Sequence, residues 1–510
     1  MNRLGFKPIE KKIKWKEVQS GKLIEILLTR IVNTEVEITA ENEDMESGVR
    51  ENVESFSMLP TVSGNLESVL PSIALGLRSS AGGELSSQYS VRGGSYDENL
   101  VFVNDFEIFR PQLIRNGQQE GLSFPNPDLV KELKFYSGGF ESKYGDKLSS
   151  VMDIRYKNPD TLKASAAASL LGMSFHLEGS SNIFGKNTAP RKLSYLVGAR
   201  YKTTRYILSS LDVKGEYTPD FLDLQGFVNY DLSRQWKLSW IGNINRSHFK
   251  LIPESSTVAK GSFFQILNLN TEFEGSEDDY FEQNMTGLSL NFISDQSRYP
   301  FFMKWNAALY YGYEAERFDI LGYYRLVEVE AGQNDEEGKE VKLWGVGTQH
   351  LYARNRLESI VQHYEWRGAI DFSSTSSGIG HFMQWGAWYR REHLDDKINE
   401  WERLDSAGYA LPLSDSGLRI FNVYKSSNEI VNDKFACWVQ DEIKWKINDQ
   451  NVLKINGGIR LHHSGLNQEF LMNPRLKNGM DSHRQQTQYT CLDFNRTLSP
   501  GSILQRDAGY

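Results

Sequence analysis

Few residues of this 510-residue chain are spaced for chemistry. Gly185-Lys186 has the Gly-Lys pair of a phosphate-binding loop. Such a loop needs a glycine five positions earlier, where Ser180 stands, and a Ser or Thr next, where Asn187 stands. The metalloprotease pattern HExxH and the nucleophile elbow GxSxG are absent. His462 and His463 are neighbours, and neighbours on a strand face opposite ways, so they cannot share a metal. Cys437 and Cys491 are the only cysteines, which excludes a disulfide framework and a CxxC site. Cys437 shares a strand face with Val439 and Ile443, as a packed or lipid-facing thiol would. The acidic pairs Asp278-Asp279 and Asp395-Asp396 are expected in solvated loops. No catalytic residue, metal or cofactor is expected, and the chain does not read as an enzyme.

Composition narrows the classes further. Lys plus Arg is 57 and Asp plus Glu is 66, a net charge of −9, and no long basic run exists, which argues against nucleic acid as a partner. Aromatics at 12% argue against long disorder. No stretch approaches the eighteen or so apolar residues of a spanning helix. The longest near the start, residues 23–28, is broken by Glu25. The opening MNRLGFKPIEKK carries charge where a secretion signal needs an apolar core.

What positions side chains here is turn chemistry and strand periodicity. Residues 1–40 read as short strands of a small β unit, and residues 41–53 as an acidic linker. Residues 54–157 read as a compact α+β domain. Its expected elements are a helix over 66–77 interrupted at Pro71, a strand over 100–103, a turn at Asn104-Asp105, a helix over 125–134 capped by Asn126 or Asp128, and a strand over 151–156. Leu129 and Leu133, four apart, would share that second helix's inward face.

From 162 to about 463 the period is two. Leu193, Tyr195, Val197, Ala199 and Tyr201 fall on one face, with Lys192, Ser194, Arg200 and Lys202 on the other and Leu196 as the exception. Trp236, Leu238, Trp240 and Ile244 oppose Lys237, Ser239, Asn243 and Asn245. A soluble sandwich and a membrane barrel both give this pattern. Runs of about ten residues, and aromatics at their edges (Trp236, Trp305, Tyr313, Trp388, Trp445), lean to the barrel. Long acidic loops at 327–348 and 393–433, against tight turns at Ser233-Arg234 and Asn448-Asp449, suggest one looped rim and one short-turn rim. Residues 476–510 show no alternation and read as an irregular tail.

One ordered set of short motifs ties these pieces together. It runs Ser90-Val91-Arg92-Gly93-Gly94-Ser95, Asp97, Asn99-Leu100-Val101 and Val103-Asn104-Asp105, then Gly138-Gly139-Phe140, Tyr144-Gly145, Leu148-Ser149-Ser150-Val151 and Asp153-Ile154. In this order it resembles the plug domain of TonB-dependent outer-membrane receptors, in the branch with an N-terminal carboxypeptidase-regulatory-like domain. The family usually has Asp-Gly where Asn104-Asp105 stands. The resemblance implies a mainly β chain: a remnant of the regulatory-like sandwich at 1–40, the linker 41–53, the plug at 54–157, a partial antiparallel barrel at 158–475 and the tail. The family barrel has about 22 strands, of which about ten to twelve are counted here, so a fragment holding the plug and half the barrel is expected. It further implies that Arg92 pairs with a carboxylate of the barrel wall, that Gly145, Ser149 and Ser150 allow close approach to that wall, and that Val36, Ile38 and Thr39 form an energy-coupling segment. The implied partners are a TonB-type energy-coupling protein, outer-membrane lipid, an extracellular ligand and a surface lipoprotein. The alternatives are a non-functional truncated remnant and a soluble β-rich surface binding protein.

Overall fold

The computed structural model describes residues 49–52, 66–73, 76–79, 89–111, 122–183, 191–203, 215–262, 265–294, 299–330, 340–372, 379–405, 419–447, 451–482 and 488–493. Val36, Ile38 and Thr39, the expected sandwich remnant and the turn at Asn448-Asp449 lie outside them.

The first part is a small mixed sheet. Its elements are β1 (Val49–Asn52), a single helical turn α1 (Leu70–Ile73), β2 (Leu77–Ser79), β3 (Tyr89–Val91), β4 (Asn99–Val103), β5 (Phe106–Glu107), β6 (Val130–Tyr136) and β7 (Ser150–Tyr156). Five of these pair in the order β1-β6-β7-β4-β5, and β2 pairs β3. Strand β1 extends the sheet into residues expected to be linker. The turn at Asn104-Asp105 closes a two-residue hairpin in which Val103 opposes Phe106. Both turn residues have positive φ, 49° and 72°, the twist that matches flanking strands.

The expected helix over 125–134 is not there. Asn126 Oδ1 accepts the Asp128 amide at 3.1 Å, a local turn, and β6 follows. A spacing of four fits one helix face but also one strand face, so Leu129 and Leu133 could not separate the two. Both are buried in the plug core. The helix over 66–77 shrinks to a 3-10 turn (Leu66–Ser68) and α1, with Pro71 in the first turn, where its missing N–H does no harm.

The second part is one antiparallel sheet of fourteen strands. They are β8 (Lys163–Ser169), β9 (Gly172–Asn182), β10 (Lys192–Thr203), β11 (Gly215–Asp231), β12 (Trp236–Pro253), β13 (Ser256–Ser262), β14 (Gln265–Ile293), β15 (Phe301–Val329), β16 (Glu340–Asp371), β17 (Ile379–Asp405), β18 (Arg419–Lys446), β19 (Asn451–Ser464), β20 (Glu469–Ser482) and β21 (Gln488–Asp493). Neighbours in sequence pair throughout, except that β13 pairs only β14 and β12 passes directly to β14. The path ends at β8 and β21, which do not pair with each other, so the barrel is partial and open.

The faces of this sheet invert soluble packing. Residues on the side carrying the plug are polar yet covered: Asp223 is 0% exposed, Asn243 3% and Ser239 6%. Their neighbours on the other side are apolar yet open: Trp240 is 40% exposed, Leu309 46% and Leu288 51%. Water would punish that arrangement, whereas hydrocarbon outside and a filled interior favour it. On β12 the outward apolar run from Trp236 to Ile244 ends at Arg246, about the ten residues a tilted membrane strand needs. Trp236 stacks with Trp305 at 5.9 Å and tilts against Phe292 at 4.8 Å, an aromatic cluster at the short-turn end of this band. The tight turn at Ser233-Arg234 lies just beyond, where the Ser233 amide donates to the Trp236 carbonyl at 3.1 Å. No helix among the described residues is long and apolar enough to cross a membrane.

Several expectations fail here. Strands β14–β18 run 27 to 32 residues, far past any bilayer, and absorb most of the loops expected at 327–348 and 393–433. Beyond the apolar band polar and apolar residues mix on both faces, as at Val341, Leu343, Ile420 and Val423, so no alternation marked them. Asp278-Asp279 and Asp395-Asp396 therefore sit in strands, and Asp279 accepts the Arg317 amide at 3.2 Å. Pairing also continues past 475 through β20 to β21, into the expected tail. Fourteen strands replace the ten to twelve counted, because β8, β13 and β21 are short or lack an apolar face. Trp388 does not face outward. It is 6% exposed on the plug side, stacked against Arg390.

Candidate functional site: the seam between plug and wall

The glycine motifs meet at one end of the plug. Arg92 and Gly93 both have positive φ, and the Gly94 amide closes the turn on the Val91 carbonyl at 2.9 Å. The Arg92 guanidinium lies over Gly138, where a Cβ would stand 2.8 Å from Nη1; Gly139 follows with positive φ. Gly94 faces Ser149, whose hydroxyl donates to Glu98 at 2.5 Å, and Ser150 donates to Asn99 at 2.7 Å. This network is internal to the plug. Arg92 is exposed and reaches Ser137 at 3.4 Å, and among the described residues no pairing of it with a wall carboxylate is seen.

The charges across the seam run the other way, with plug carboxylates held by wall cations. At the hairpin tip Asp105 is 8% exposed. Arg155, also of the plug, grips it with two bonds of 2.6 and 2.8 Å, and Lys304 of β15 and Arg367 of β16 close on it from the wall. Burial pushes its carboxyl up, but Arg155, Arg367 and Lys304 together hold it well below the usual range. This explains the departure from Asp-Gly. An Asp at φ 72° is strained, and a buried, doubly hydrogen-bonded ion pair offsets that strain.

A second anchor gathers around Arg390 of β17. Its guanidinium pairs with Glu107 of the plug, lies 3.7 Å from Asp146, and covers the Phe109 ring at 4.2 Å. Tyr310 donates to the Glu107 carbonyl at 2.6 Å. Asp146 also meets His462 at 3.6 Å and Arg460 at 4.0 Å. Gly145 stands so close to Arg460 that a side chain there would collide with its guanidinium. Next to it Tyr144 donates to Asp153 at 2.9 Å, and its carbonyl accepts Arg475 at 2.8 Å. The Ser142 amide donates to Gln440 at 2.9 Å.

Between the anchors lies an apolar contact. Leu196, Phe227, Ile241, Gly287 and Ala308 form one row in register across β10, β11, β12, β14 and β15. The row packs into the plug core with Phe106, and Gly287 lacks the side chain that would strike the Phe106 ring. The exception noted at Leu196 is thus a contact with the plug. Continued through β16 and β17, the same row becomes His363 and Arg390.

Glu67 adds a pH dependence. It is buried in the plug, and burial pushes its pKa from 4.5 up to about 7 against the pull of Ser123, Arg200 and Lys202. The folded value exceeds the unfolded one. Plug stability is therefore full below the unfolded value and falls as pH rises toward the folded one, by roughly 3 kcal/mol in all. The urea midpoint of the plug is expected to be higher at pH 5 than at pH 8. Glu67→Gln should remove most of that difference, and a wild-type midpoint independent of pH would contradict it.

Comparison with known proteins agrees with this geometry. Residues 49–150 match the family model described as TonB-dependent Receptor Plug Domain. No curated protein sequence matches the chain. Among solved structures, the outer membrane transporter YddB from Escherichia coli is similar at 12% identity and TM-score 0.51, covering 85% of this chain and 58% of that one. The ferric enterobactin receptor PfeA from Pseudomonas aeruginosa is similar at 9% identity and TM-score 0.33, covering 90% and 93%. The chain thus spans little more than half of the transporter whose fold it shares. Residues 49–150 form a TonB-dependent receptor plug domain, seated on the polar face of a partial barrel with the fold of an outer-membrane transporter.

Proposed function

We propose that the chain serves in the outer membrane as a TonB-dependent receptor for energy-coupled uptake of an extracellular ligand, in the branch with a carboxypeptidase-regulatory-like domain. The observation carrying this reading is the inverted sheet, whose polar side is filled by a plug held by charge pairs and whose apolar side is left for lipid. Pulling such a seam apart breaks these charge pairs and uncovers the apolar row from Leu196 to Ala308. Val36, Ile38 and Thr39 are the proposed strand for an inner-membrane TonB-type protein, by strand addition. The proposed roles of the plug motifs are structural: Arg92, Gly93, Gly94, Gly138, Gly139, Ser149 and Ser150 shape the plug's end, and Asn104, Asp105, Tyr144 and Gly145 seat it. A surface lipoprotein is a further proposed partner at the long-strand rim.

The test uses Ser142→Cys, buried at the seam at 2% exposure, in a chain with Cys437→Ser and Cys491→Ser. In outer membranes of living cells, a membrane-impermeant maleimide should label it only when the coupling protein and the proton gradient are intact. Labelling that ignores both would end the energy-coupled reading.

A further inference from the structure

The sheet has a step in its height at the border of β18 and β19. Strand β18 pairs with β17 from Arg419 to Trp445, but β19 covers its other side only from Lys434 to Lys446. There the chain turns away. The Gly465 amide donates to the Asp433 carbonyl at 2.8 Å, and the Leu466 amide donates to Asn432 Oδ1 at 3.0 Å. Residues 465–468 make the turn, and β20 returns toward the short-turn end. Among the described residues, nothing pairs with the second edge of β18 over 419–431. The step is internal to the sheet, three strands from β21, so it is a separate matter from the two ends of the path.

This edge carries few of the features that keep edge strands from pairing. Residues 420–433 hold no proline and no glycine, and the one irregularity in the pairing with β17 lies at Glu402/Arg403, near the start of β18. Every residue over 423–431 is exposed, whichever face it takes. Val423, 51% exposed, and Val431 point outward, while Tyr424, 58% exposed, and Ile430 point inward. One strand laid alongside would flank both faces at once. Of the outward charges in this stretch, Glu429 already meets His393 at 2.8 Å, whereas Lys425 has no acid beside it among the described residues. The step begins two residues above Phe435, which stands opposite Tyr389 of the stacked Tyr364–Tyr389 pair at the upper margin of the outward apolar band. The free edge therefore lies clear of hydrocarbon.

We infer that the free edge of β18 is a docking strand, to which a partner protein at the cell surface adds an extended segment in antiparallel pairing. A row of unpaired amides and carbonyls is answered by another extended backbone or by water, and the apolar side chains exposed on both faces favour the backbone. A second copy in the same membrane cannot be that partner. Antiparallel pairing of two identical edges needs a two-fold axis perpendicular to the sheet, which would turn one copy upside down. An axis along the membrane normal would instead cross two tilted strands. The segment taken has apolar residues opposite Val423, Tyr424, Ile430 and Val431 and an acid opposite Lys425. Lying in line with β19, it would raise the low part of the wall and leave the space over the plug open, as suits a partner rather than a cargo. The inference deepens the partner reading above, which supplies only the side of the membrane that the edge faces.

The test measures binding of the fluorescent peptide VVTTTTEVV to the full chain in membranes. In the antiparallel register its glutamate opposes Lys425 and its valines oppose the four apolar side chains. Two further versions carry N-methyl groups on alternate amides, in opposite phases. Alternate amides of a strand point to opposite sides, so one version should bind like the parent and the other should lose binding. Lys425→Glu, a change at an exposed side chain, should weaken the parent peptide about fivefold and strengthen VVTTTTKVV by a similar factor. Equal binding of the two methylated versions would show that backbone pairing is not involved. Affinities unmoved by Lys425→Glu would put the peptide on another edge, β8 or β21. Either result overturns the proposal, and so would dimers of the chain that VVTTTTEVV disperses, because a second copy would then hold the edge. Peptide binding needs no energy supply. Phase-dependent binding together with Ser142→Cys labelling that ignores the proton gradient would therefore remove the transport reading and leave the docking strand.

Discussion

Asp105→Ala is expected to unseat the plug tip, lowering the resistance of the plug to urea and trypsin by about 3–5 kcal/mol. The cost does not come from a lost attraction alone. Lys304 is buried and Arg367 half-buried at the seam; both converge on this carboxylate, and without it the Lys304 ammonium in particular loses its compensating charge. Alanine also keeps the positive φ strain and removes what offset it. Asp105→Gly separates the two effects: it relieves the backbone and still loses the charge, so it should recover only about 1 kcal/mol of the alanine loss. A glycine variant as stable as the wild type would mean that the charges are idle. Asp105→Gly combined with Lys304→Met should regain more, because the stranded ammonium is gone. The pH sign opposes that of Glu67. The folded pKa of Asp105 is depressed, so its contribution is complete above the unfolded value near 4 and is lost only as pH falls through its own lower value. Between pH 8 and pH 5 the tip should therefore hold while the Glu67 contribution changes.

How much of this was legible follows from where each signal lives. The membrane strands were readable because one face must meet lipid and the other must not, and that leaves a period of two in Trp236 to Asn245. The same strands vanished from view beyond Arg246 because both faces there meet water, which is why acidic loops were expected and paired strands stand. The helix expected at 125–134 failed on a spacing common to both periods. The hairpin at Asn104-Asp105 was readable as a turn, yet not as an anchor, since its partners lie roughly 50 to 260 positions away on three other strands. Glu107 and Asp146 were missed for the same reason. Lys304, Arg367, Arg390 and Arg460 do occupy the polar face of alternating runs, but so do Glu365, Glu392 and Glu442, so the sign of charge along the wall could not tell which residues meet the plug. The error lay in assigning the plug the arginine and the wall the carboxylate.

The second large effect is expected at Arg390, and its pH dependence should differ from that of Asp105. Arg390→Ala removes the partner of Glu107, the neighbour of Asp146 and the cation over Phe109 in one step, for about 3–5 kcal/mol at neutral pH. Burial already pushes the Glu107 pKa up, with Arg390 offsetting only part of that rise. Without Arg390 the carboxyl should rise further and take up a proton when the medium is mildly acidic. Neutral Glu107 no longer needs a cation, so as pH falls from 8 to 5 the variant should recover stability beyond the gain that Glu67 gives every variant, whereas Asp105→Ala should show the Glu67 gain alone. Glu107→Gln in the same chain should remove that recovery by making the site neutral at every pH. The pair Glu107→Gln with Arg390→Met should then lie close to the wild type, since replacing both members of a buried ion pair by groups of similar volume is often nearly neutral. Ser142→Cys, buried on the same side of the plug, reports the seating in each case through its rate of maleimide labelling. If the double variant labels as fast as Arg390→Ala, the loss came from packing of Phe109 and Trp388 rather than from stranded charge, and the ionic account of this anchor fails.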